Sequence, residues 1–264
     1  MKYTHYMKRR IAGEERGVPV RLMHKSNLRT FCDQVGVPAP AEIARFESVN
    51  DIDLDGLPDS FVLKPAFAST AEGVMLLERK GSQYYDAMSK KCWSVDEIVK
   101  LQQTIFEKYS GVRNRVTLVE QRVDCSEGLS IPADYKFLGF QGEIGIIIRI
   151  DRTGDKLIMS YYDGNFVPIV DERVRFNSDI AELEYKLPPK DWRKLLNLAR
   201  RVSVAVPTPC ARIDLFADTN GPLLGEITLT PGSFYYAAGH TLTRAEDERL
   251  GLLWEKAESQ LSVC

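Results

Sequence analysis

Residues 211–229 read ARIDLFADTNGPLLGEITL, and this stretch decides the fold of the chain. Two runs rich in apolar and β-branched residues, 211–217 and 222–229, flank the sequence Asp-Thr-Asn-Gly. Asn-Gly between two strand-like runs is a strong signal for a tight turn. The stretch therefore predicts an antiparallel β-hairpin.

The predicted hairpin brings two carboxylates together. Side chains alternate faces along a strand, so Asp214 and Glu226 each lie on a defined face. If the turn is centred on Asn220, Asp214 lies opposite Glu226 and Arg212 opposite Thr228. Opposed Cβ atoms are about 4.5–5.5 Å apart, and like charges at that distance need a compensating cation. Oxygen ligands with no histidine or cysteine nearby suit Mg²⁺. The alternative is that both acids face solvent, or that a shift of register separates them.

The rest of the chain alternates helix-like and strand-like segments. The residue pattern predicts helices over residues 25–35, 95–109, 191–204 and 244–262, and strands over 61–64, 73–77, 116–120, 134–140, 143–150 and 157–162. This order indicates an α+β or α/β chain. We expect two lobes that divide near residues 121–133.

Composition argues against several classes of function. The chain has 264 residues with 35 basic and 37 acidic side chains, so charge gives no indication of a nucleic-acid partner. The longest apolar run, near residues 145–148, is too short for membrane insertion. The five cysteines lie far apart, which argues against a disulfide framework and against structural zinc. We expect a cytoplasmic protein.

A lysine ends the first apolar strand. Lys64 follows Phe-Val-Leu and precedes a proline, and small residues follow at 68–71. A cation beside small residues, whose backbone N–H groups can approach phosphate oxygens, indicates a nucleotide phosphate site. The alternative is a lysine that extends to solvent from a strand end. No GxxxxGK[ST] sequence occurs, so this is not a P-loop.

Taken together, these segments resemble the ATP-grasp superfamily, and most closely its TupA-like branch, named for teichuronopeptide synthesis. The segments that carry the resemblance are Leu57–Lys64 (LPDSFVLK), Val119–Gln121 (VEQ), Pro132–Phe137 (PADYKF), Asp151-Arg152, Tyr161–Asp163 (YYD), Ala211–Leu215 (ARIDL) and Gly225–Gly232 (GEITLTPG). They follow one another in a consistent order over roughly residues 20–236.

The resemblance implies an α+β ATP-grasp fold, in which two α+β lobes sandwich ATP. We expect residues 1–24 to be a short N-terminal segment, a much reduced form of the region that usually precedes the fold. Residues 25–120 would form the N-terminal lobe, and residues 121–264 the C-terminal lobe with the Mg²⁺-binding hairpin.

The resemblance also implies roles for matched residues. The residues that would bind ATP, at its phosphates, adenine and ribose, are Lys25, Lys64, Ser69, Thr70, Glu120, Gln121 and Asp134. The residues that would hold Mg²⁺ are Asp214, Glu226 and Thr228. Arg212 would stabilise charge on the transferred phosphoryl group. Arg149 and Arg152 are candidates for gripping the substrate, because a guanidinium suits a carboxylate.

The chemistry implied is ligation of a carboxylate to an amine. Transfer of the γ-phosphoryl group of ATP gives an acyl phosphate, which an amine attacks to form an amide. We expect the carboxylate to be an amino acid, a uronic acid or a surface polymer, in cell-surface polymer or small-peptide biosynthesis. Because few residues precede Lys25, acceptor binding would use the C-terminal lobe or a second subunit, so a homo-oligomer is possible.

Two other functions fit the same residues. An ATP-grasp kinase would phosphorylate a small molecule or sugar without forming an amide. A non-catalytic protein would bind the nucleotide without turnover. The last reading is favoured by Thr228, which stands where many ATP-grasp enzymes have asparagine, and by the absence of glycine from residues 68–72. The presence of Lys64, Arg212, Asp214 and Glu226 together favours an enzyme.

Overall fold

The computed structural model of the protein describes residues 1–68, 71–176, 178–179, 181–232 and 240–262. Its strands form two six-stranded sheets and a separate two-stranded pair, and five α-helices lie in the described part of the chain. Short 3₁₀ helices occur at Val20–Met23 and Val49–Asp51. The α+β class is confirmed.

The first sheet is built from residues 42–121. Its strands are β1 (Glu42–Phe46), β2 (Ser60–Pro65), β3 (Met75–Lys80), β4 (Gln83–Asp86), β5 (Lys91–Trp93) and β6 (Thr117–Gln121), in the spatial order β1-β6-β2-β3-β4-β5. All neighbours are antiparallel. A helix, Val95–Lys108, packs on one face through Ile98 and Phe106. It starts at a capping box of Ser94 and Glu97, which satisfies backbone N–H groups at its first turn.

The second sheet carries the predicted hairpin. Strands β7 to β14 are Asp134–Phe140, Glu143–Asp151, Leu157–Asp163, Val174–Phe176, Ala181–Leu183, Ala211–Asp218, Gly221–Thr228 and His240–Leu242. Six of them form the sheet in the order β11-β9-β8-β7-β12-β13, and β10 pairs with β14. Only β11 with β9 is parallel among the pairs of this sheet.

Helices cover both faces of the second sheet. The α-helices, in chain order from α1 to α5, are Tyr3–Ile11, Lys25–Val35, Val95–Lys108, Trp192–Ala205 and Arg244–Leu261. Helices α2 and α4 pack on one face, where Phe31 and Val202 belong to the same apolar cluster as Phe137. Helices α1 and α5 pack on the other face, where Tyr6 stacks on Trp254. Helix α2 therefore packs on the second sheet, although we expected it in the first lobe.

Most of the predicted elements are present. The four predicted helices are α2 to α5, within one residue at each end, and the predicted strands correspond to β2, β3, β6 to β9, β12 and β13. Helix α1 and the short strands β1, β4, β5, β10, β11 and β14 were not predicted. No helix within the described residues is both long and apolar enough to span a membrane.

Candidate active site

The hairpin of β12 and β13 pairs the residues as predicted at its open end. Asp214 lies opposite Glu226, and Arg212 lies opposite Thr228. The four side chains therefore share one face of the second sheet. The neighbouring strand β7 adds Lys136, which lies opposite Asp214 on its other side.

The turn of the hairpin differs from the prediction. Asp218 pairs with Gly221, so the turn has two residues, Thr219 and Asn220, and its centre lies between them. This register alone would place Asp214 opposite Gly225. A β-bulge at Gly225 adds one residue to the second strand and restores the pairing of Asp214 with Glu226. A Cβ atom at position 225 would lie 2.6 Å from the ring of Phe216, so any other residue there would displace that ring.

Asp214 is buried between two cations. The Nζ atom of Lys136 lies 2.5 Å from its Oδ2, and Arg212 donates from Nε to Oδ1 at 2.7 Å and from Nη2 to Oδ2 at 2.8 Å. Burial alone would raise the pKa of Asp214, but the charges of Lys136 and Arg212 outweigh it and hold that pKa below its ordinary value. Burial likewise acts to lower the pKa of Arg212, and the charge of Asp214 reverses the effect. Asp214 is therefore an ionised carboxylate.

Glu226 is the more accessible carboxylate of the pair. Its Oε1 accepts a hydrogen bond from Thr228 Oγ1 at 3.2 Å, and its Oε2 lies 3.9 Å from Arg212 Nη2. Thr228 Oγ1 in turn accepts from Arg212 Nη2 at 3.0 Å. Glu226 thus keeps most of its lone pairs free for a ligand that would lie in the cleft between the two sheets.

The first sheet supplies a second charged pair, together with a lysine from α2. Lys64 Nζ lies 2.6 Å from Glu120 Oε2, and both side chains are largely buried. Lys25, at the start of α2, donates to the carbonyl oxygen of Ala68 at 3.0 Å. Burial, and secondarily the charge of Lys64, lower the pKa of Lys25, while Glu226 and Glu120 act to raise it. These charges couple through space, so Lys25 links the two sheets electrostatically.

Of the remaining expected nucleotide residues, the structure describes Asp134 and Gln121. Asp134 forms an ion pair with Arg152 and lies 3.5 Å from Lys136, which places Arg152 at the rim of the charged cluster. The backbone N–H of Gln121 donates to the carbonyl oxygen of Ala41 at 2.8 Å. Ser69 and Thr70 lie outside the described residues.

Arg149 is not in the candidate site. It pairs with Tyr135 on β7, whereas Lys136 pairs with Ile148, so the side chain of Arg149 points to the opposite face of the sheet. There it is 1% exposed and forms ion pairs with Glu127 at 2.9 Å and Asp151 at 3.2 Å. The structure therefore separates Arg149 from the charged cluster and places it in a buried ion-pair network.

Lys136 is the site residue that the sequence analysis missed. It lies in the quoted segment PADYKF, where it shares a strand face with Asp134. The sequence feature that could have indicated it is that Lys136 and Asp134 alternate with aromatic residues in a strand that is otherwise free of charge. Only the pairing of β7 with β12 shows that this lysine contacts Asp214.

The donor set fits Mg²⁺. Within the described residues, no three histidine, cysteine, aspartate or glutamate side chains come together as a metal-binding group. Mg²⁺ bound with a nucleotide, however, needs only one or two carboxylates, because phosphate oxygens and waters complete its shell. Asp214, Glu226 and the hydroxyl of Thr228 supply such a set on one face of the hairpin. The carboxylates of Asp214 and Glu226 would bind the metal, and the neighbouring cations would contact the phosphate groups of a metal-bound polyphosphate.

Comparison with known proteins gives a family match. The profile of a family described as TupA-like ATPgrasp matches residues 14–253. No curated protein matches the chain.

Solved structures match over most of the chain. A D-alanine–D-alanine ligase from Bacillus anthracis matches with a TM-score of 0.51 and 17% identity, over 91% of this chain and 66% of that one. D-alanyl-alanine synthetase A from Vibrio cholerae matches with a TM-score of 0.52 and 15% identity, over 92% of this chain and 66% of that one. A D-alanine–D-alanine ligase from Helicobacter pylori matches with a TM-score of 0.51 and 15% identity, over 89% of this chain and 58% of that one. The chain spans two thirds or less of these proteins, and at these identities the likeness concerns the fold.

Proposed function

The chain belongs to the TupA-like ATP-grasp family and has an ATP-grasp fold, and from this premise we propose that it is an ATP-dependent carboxylate–amine ligase. The observation that carries the proposal is the pairing of Asp214 with Glu226 beside Arg212 and Lys136. Two opposed carboxylates flanked by two cations match what phosphoryl transfer requires: ligands for a metal and positive charge for phosphoryl oxygens.

ATP would bind in the cleft between the two sheets. Lys25 and Lys64 would supply positive charge for its phosphates, since both line one pocket between the two sheets. Glu120 would accept a hydrogen bond from the adenine amino group, and Asp134 would meet the ribose. Glu120 and Lys64 contact each other, so a nucleotide would separate them and give each a new partner. The division into two lobes at residues 25–120 and 121–264 stays a proposal for the two sheets, with the exception that helix α2 packs on the second sheet.

Mg²⁺ bound with ATP would neutralise phosphate oxygens, and Asp214, Glu226 and Thr228 are the residues that would hold it. Arg212 keeps its charge at any physiological pH and presents a rigid fork of donors. Its contacts with Asp214 and Thr228 fix that fork beside the metal ligands. Arg212 and Lys136 are therefore oriented before the substrate arrives, which favours the charge that develops during transfer.

The reaction would proceed through an acyl phosphate. The substrate carboxylate attacks the γ-phosphorus of ATP, the bond to the ADP oxygen breaks, and ADP leaves. An amine then attacks the acyl carbon, loses a proton, and expels phosphate to leave an amide. An acyl phosphate hydrolyses in water, so the cleft would have to exclude water during turnover.

The partners of the reaction are proposed by class. An amino-acid carboxylate is supported by the D-alanine–D-alanine ligases among the solved structures of the same fold. A uronic acid or surface polymer is supported by the resemblance to the branch named for teichuronopeptide synthesis. The place of the reaction would be the biosynthesis of a cell-surface polymer or of a small peptide. A homo-oligomer would allow a second subunit to help bind the acceptor.

The proposal is tested with hydroxylamine as a general amine. The purified protein is incubated with Mg-ATP and a panel of amino acids and uronic acids, and both ADP and hydroxamate are measured. We expect both products to appear together and to vanish in Asp214→Asn. The matched control is Asp155→Asn, which removes an exposed carboxylate that is paired with Lys90 away from the site.

The other outcomes identify the alternatives. Release of ADP that depends on an added substrate, without hydroxamate, would mean a kinase. Binding of ATP without release of ADP across the panel would mean a non-catalytic nucleotide-binding protein. Hydroxamate formation that survives in Asp214→Asn would contradict the role given to the hairpin.

A further inference from the structure

One buried arginine joins helix α1 to both strands of the hairpin that carries the candidate metal ligands. Nη1 of Arg10 donates to the carbonyl oxygen of Cys210 at 2.6 Å and to that of Leu229 at 2.8 Å. Cys210 comes directly before β12, and Leu229 comes directly after β13. A single nitrogen atom of Arg10 therefore bridges the two strands at the open end of the hairpin.

The bridge lies where the backbone pairing of the hairpin ends. Arg212 with Thr228 is the outermost pair between β12 and β13 at this end, and Arg10 links the strands just beyond that pair. Cys210 and Leu229 are fully buried, so water cannot readily replace the donor that Arg10 provides to their carbonyl oxygens. Without this donor, we expect the two strand ends to move apart.

Every N–H group of Arg10 has an acceptor. Besides the two carbonyl bonds, Nε and Nη2 donate to the carboxylate of Glu15 at 2.7 and 2.8 Å, and Nη2 also donates to Thr208 Oγ1 at 2.8 Å. A guanidinium has five donors in a fixed arrangement, and this set uses all of them. Glu15 balances the charge of Arg10, whose Cζ lies 4.4 Å from the centre of the Trp254 ring. The side chain is therefore held in one orientation.

Helix α1 is itself fixed to helix α5. The backbone N–H and the hydroxyl of Thr4 donate to the two carboxylate oxygens of Asp247 at 2.9 and 2.7 Å. Helix α5 is held on β8 by Arg249, which donates to the carbonyl oxygen of Gly145 at 2.9 Å. Arg10 thus connects a fixed pair of helices to the open end of the hairpin.

The connection lies beside the side chains that would hold a metal. Thr228, which directly precedes Leu229, accepts a hydrogen bond from Arg212 at 3.0 Å and donates one to Glu226 at 3.2 Å. Both bonds require that the side chains of the outermost pair stay opposite each other. Separation of the strand ends would therefore disturb Thr228 and Glu226 together.

The groups proposed to bind the rest of the nucleotide lie on other elements. Lys64 and Glu120 belong to β2 and β6 of the first sheet, and Lys25 begins helix α2. All the donors of Arg10 are engaged with acceptors outside these three residues. Loss of Arg10 should therefore affect the metal-dependent part of nucleotide binding and leave the remainder intact.

We propose that Arg10 is a positioning residue for the reaction. By joining the ends of β12 and β13, it holds the side chains of Arg212, Thr228 and Glu226 in the arrangement that would bind a divalent cation with ATP. The inference rests on the proposed function and extends it to helix α1, which precedes the start of the family match at residue 14. Arg10 itself would touch neither the metal nor the nucleotide.

The test uses Arg10→Met, which keeps an unbranched side chain over Trp254 and removes all five donors. The dissociation constant of ATP is measured by calorimetry with and without saturating Mg²⁺, at a temperature well below the Tm of the variant. In the wild type, Mg²⁺ should tighten the binding of ATP. In Arg10→Met this tightening should be smaller by about tenfold, the factor that corresponds to ~1.4 kcal/mol, while the affinity without Mg²⁺ stays unchanged.

Tyr6→Leu is the matched control. Tyr6 lies on the same helix, stacks on Trp254 with ring centroids 5.2 Å apart and donates from its hydroxyl to Glu255 at 2.9 Å. Both of these partners belong to α5, so the variant loosens α1 and leaves the bridge across the hairpin in place. It should lower Tm, but it should not change the effect of Mg²⁺ on the affinity for ATP.

Arg10→Lys keeps the test decisive if Arg10→Met does not fold. This variant retains the positive charge beside Glu15, but its ammonium group has three donors on one nitrogen and cannot serve all the acceptors of the guanidinium. The tightening of ATP binding by Mg²⁺ should be reduced in Arg10→Lys by about threefold, between the wild type and Arg10→Met.

Each result has a defined meaning. The same effect of Mg²⁺ in the wild type and in the Arg10 variants, or an equal loss in Tyr6→Leu, would overturn the inference and leave the ligase proposal intact. No effect of Mg²⁺ on the wild type would overturn both the metal-binding role of the hairpin and this inference. The expected loss in the Arg10 variants, with no hydroxamate from any carboxylate, would support the inference and contradict the ligase chemistry.

Discussion

Replacing Lys136 by methionine should destabilise the protein through Asp214. The variant keeps the aliphatic stem and removes the ammonium group that lies 2.5 Å from Asp214 Oδ2. The side chains of Lys136 and Asp214 are 12% and 4% exposed, so water cannot replace the lost contact. Hydrogen bonds to charged groups contribute about 1.5–3 kcal/mol, and Arg212 still pairs with Asp214. We expect a loss of about 2 kcal/mol, or about 4–8 °C in Tm.

A control at equal distance isolates the effect of burial. Lys80 Nζ lies 2.5 Å from Glu78 Oε1, but those side chains are 54% and 42% exposed. Lys80→Met should therefore cost under about 0.5 kcal/mol, because exposed ion pairs contribute little. Both variants are compared with the wild type by urea denaturation followed by circular dichroism. Equal losses in the two variants would refute the reasoning that burial makes the contact strong.

The difference in the free energy of unfolding between the wild type and Lys136→Met should depend on pH in a definite direction. The folded state holds the pKa of Asp214 below its ordinary value, so the carboxylate contributes stability above a pH of about 4. That contribution is lost as the pH falls through the folded pKa, where Asp214 takes up a proton. The difference between the wild type and Lys136→Met should be constant near neutral pH and should shrink below a pH of about 4. A difference that persists in acid would mean that packing, rather than charge, is lost.

Three further changes test other parts of the site. Gly225→Ala should cost about 1–3 kcal/mol in urea denaturation and reduce ADP release, because a Cβ atom would press on Phe216 and disturb the bulge. Nucleotide binding should raise the lowered pKa of Lys25, so calorimetry in alkaline buffers of different ionisation enthalpy, between the lowered pKa and the ordinary value of 10.5, should show proton uptake that Lys25→Met abolishes. Arg149→Met should cost about 3–5 kcal/mol by leaving Glu127 without its cation, while ATP affinity of the folded protein stays unchanged.

The pairing of Asp214 with Glu226 could be predicted from sequence, but only because two deviations cancel. Strand alternation and the Asn-Gly turn locate the hairpin within one residue. The turn is shorter than a turn centred on Asn220 would be, and by itself it would shift every pair by one position. The bulge at Gly225 corrects the shift before Glu226 is reached. Residue 225 is a glycine because the ring of Phe216, nine positions earlier in the chain, packs against it. The local sequence pattern does not show this contact.

Helix α1 shows a different limit. Tyr3, Tyr6, Met7 and Arg10 are its buried residues, and their spacing is typical of an amphipathic helix. The pattern is weakened because Arg10 follows two other basic residues and resembles surface charge. It is buried because the carbonyl oxygens of Cys210 and Leu229, about 200 residues later in the chain, accept its hydrogen bonds. Such partners cannot be inferred from local spacing, and the role of α1 beside the site follows only from the three-dimensional structure.

The charge pattern of the cleft also constrains how a nucleotide can bind. Lys64 contacts Glu120, and Lys136 contacts Asp214, whereas Lys25 donates to the carbonyl oxygen of Ala68. At Lys64 and Lys136 a phosphate must therefore exchange with a carboxylate. This exchange is favourable only if the displaced carboxylates also gain partners, adenine for Glu120 and a divalent cation for Asp214. Nucleotide without the metal would leave Asp214 buried and less well compensated, so we expect metal and nucleotide to bind with positive coupling, each raising the affinity for the other.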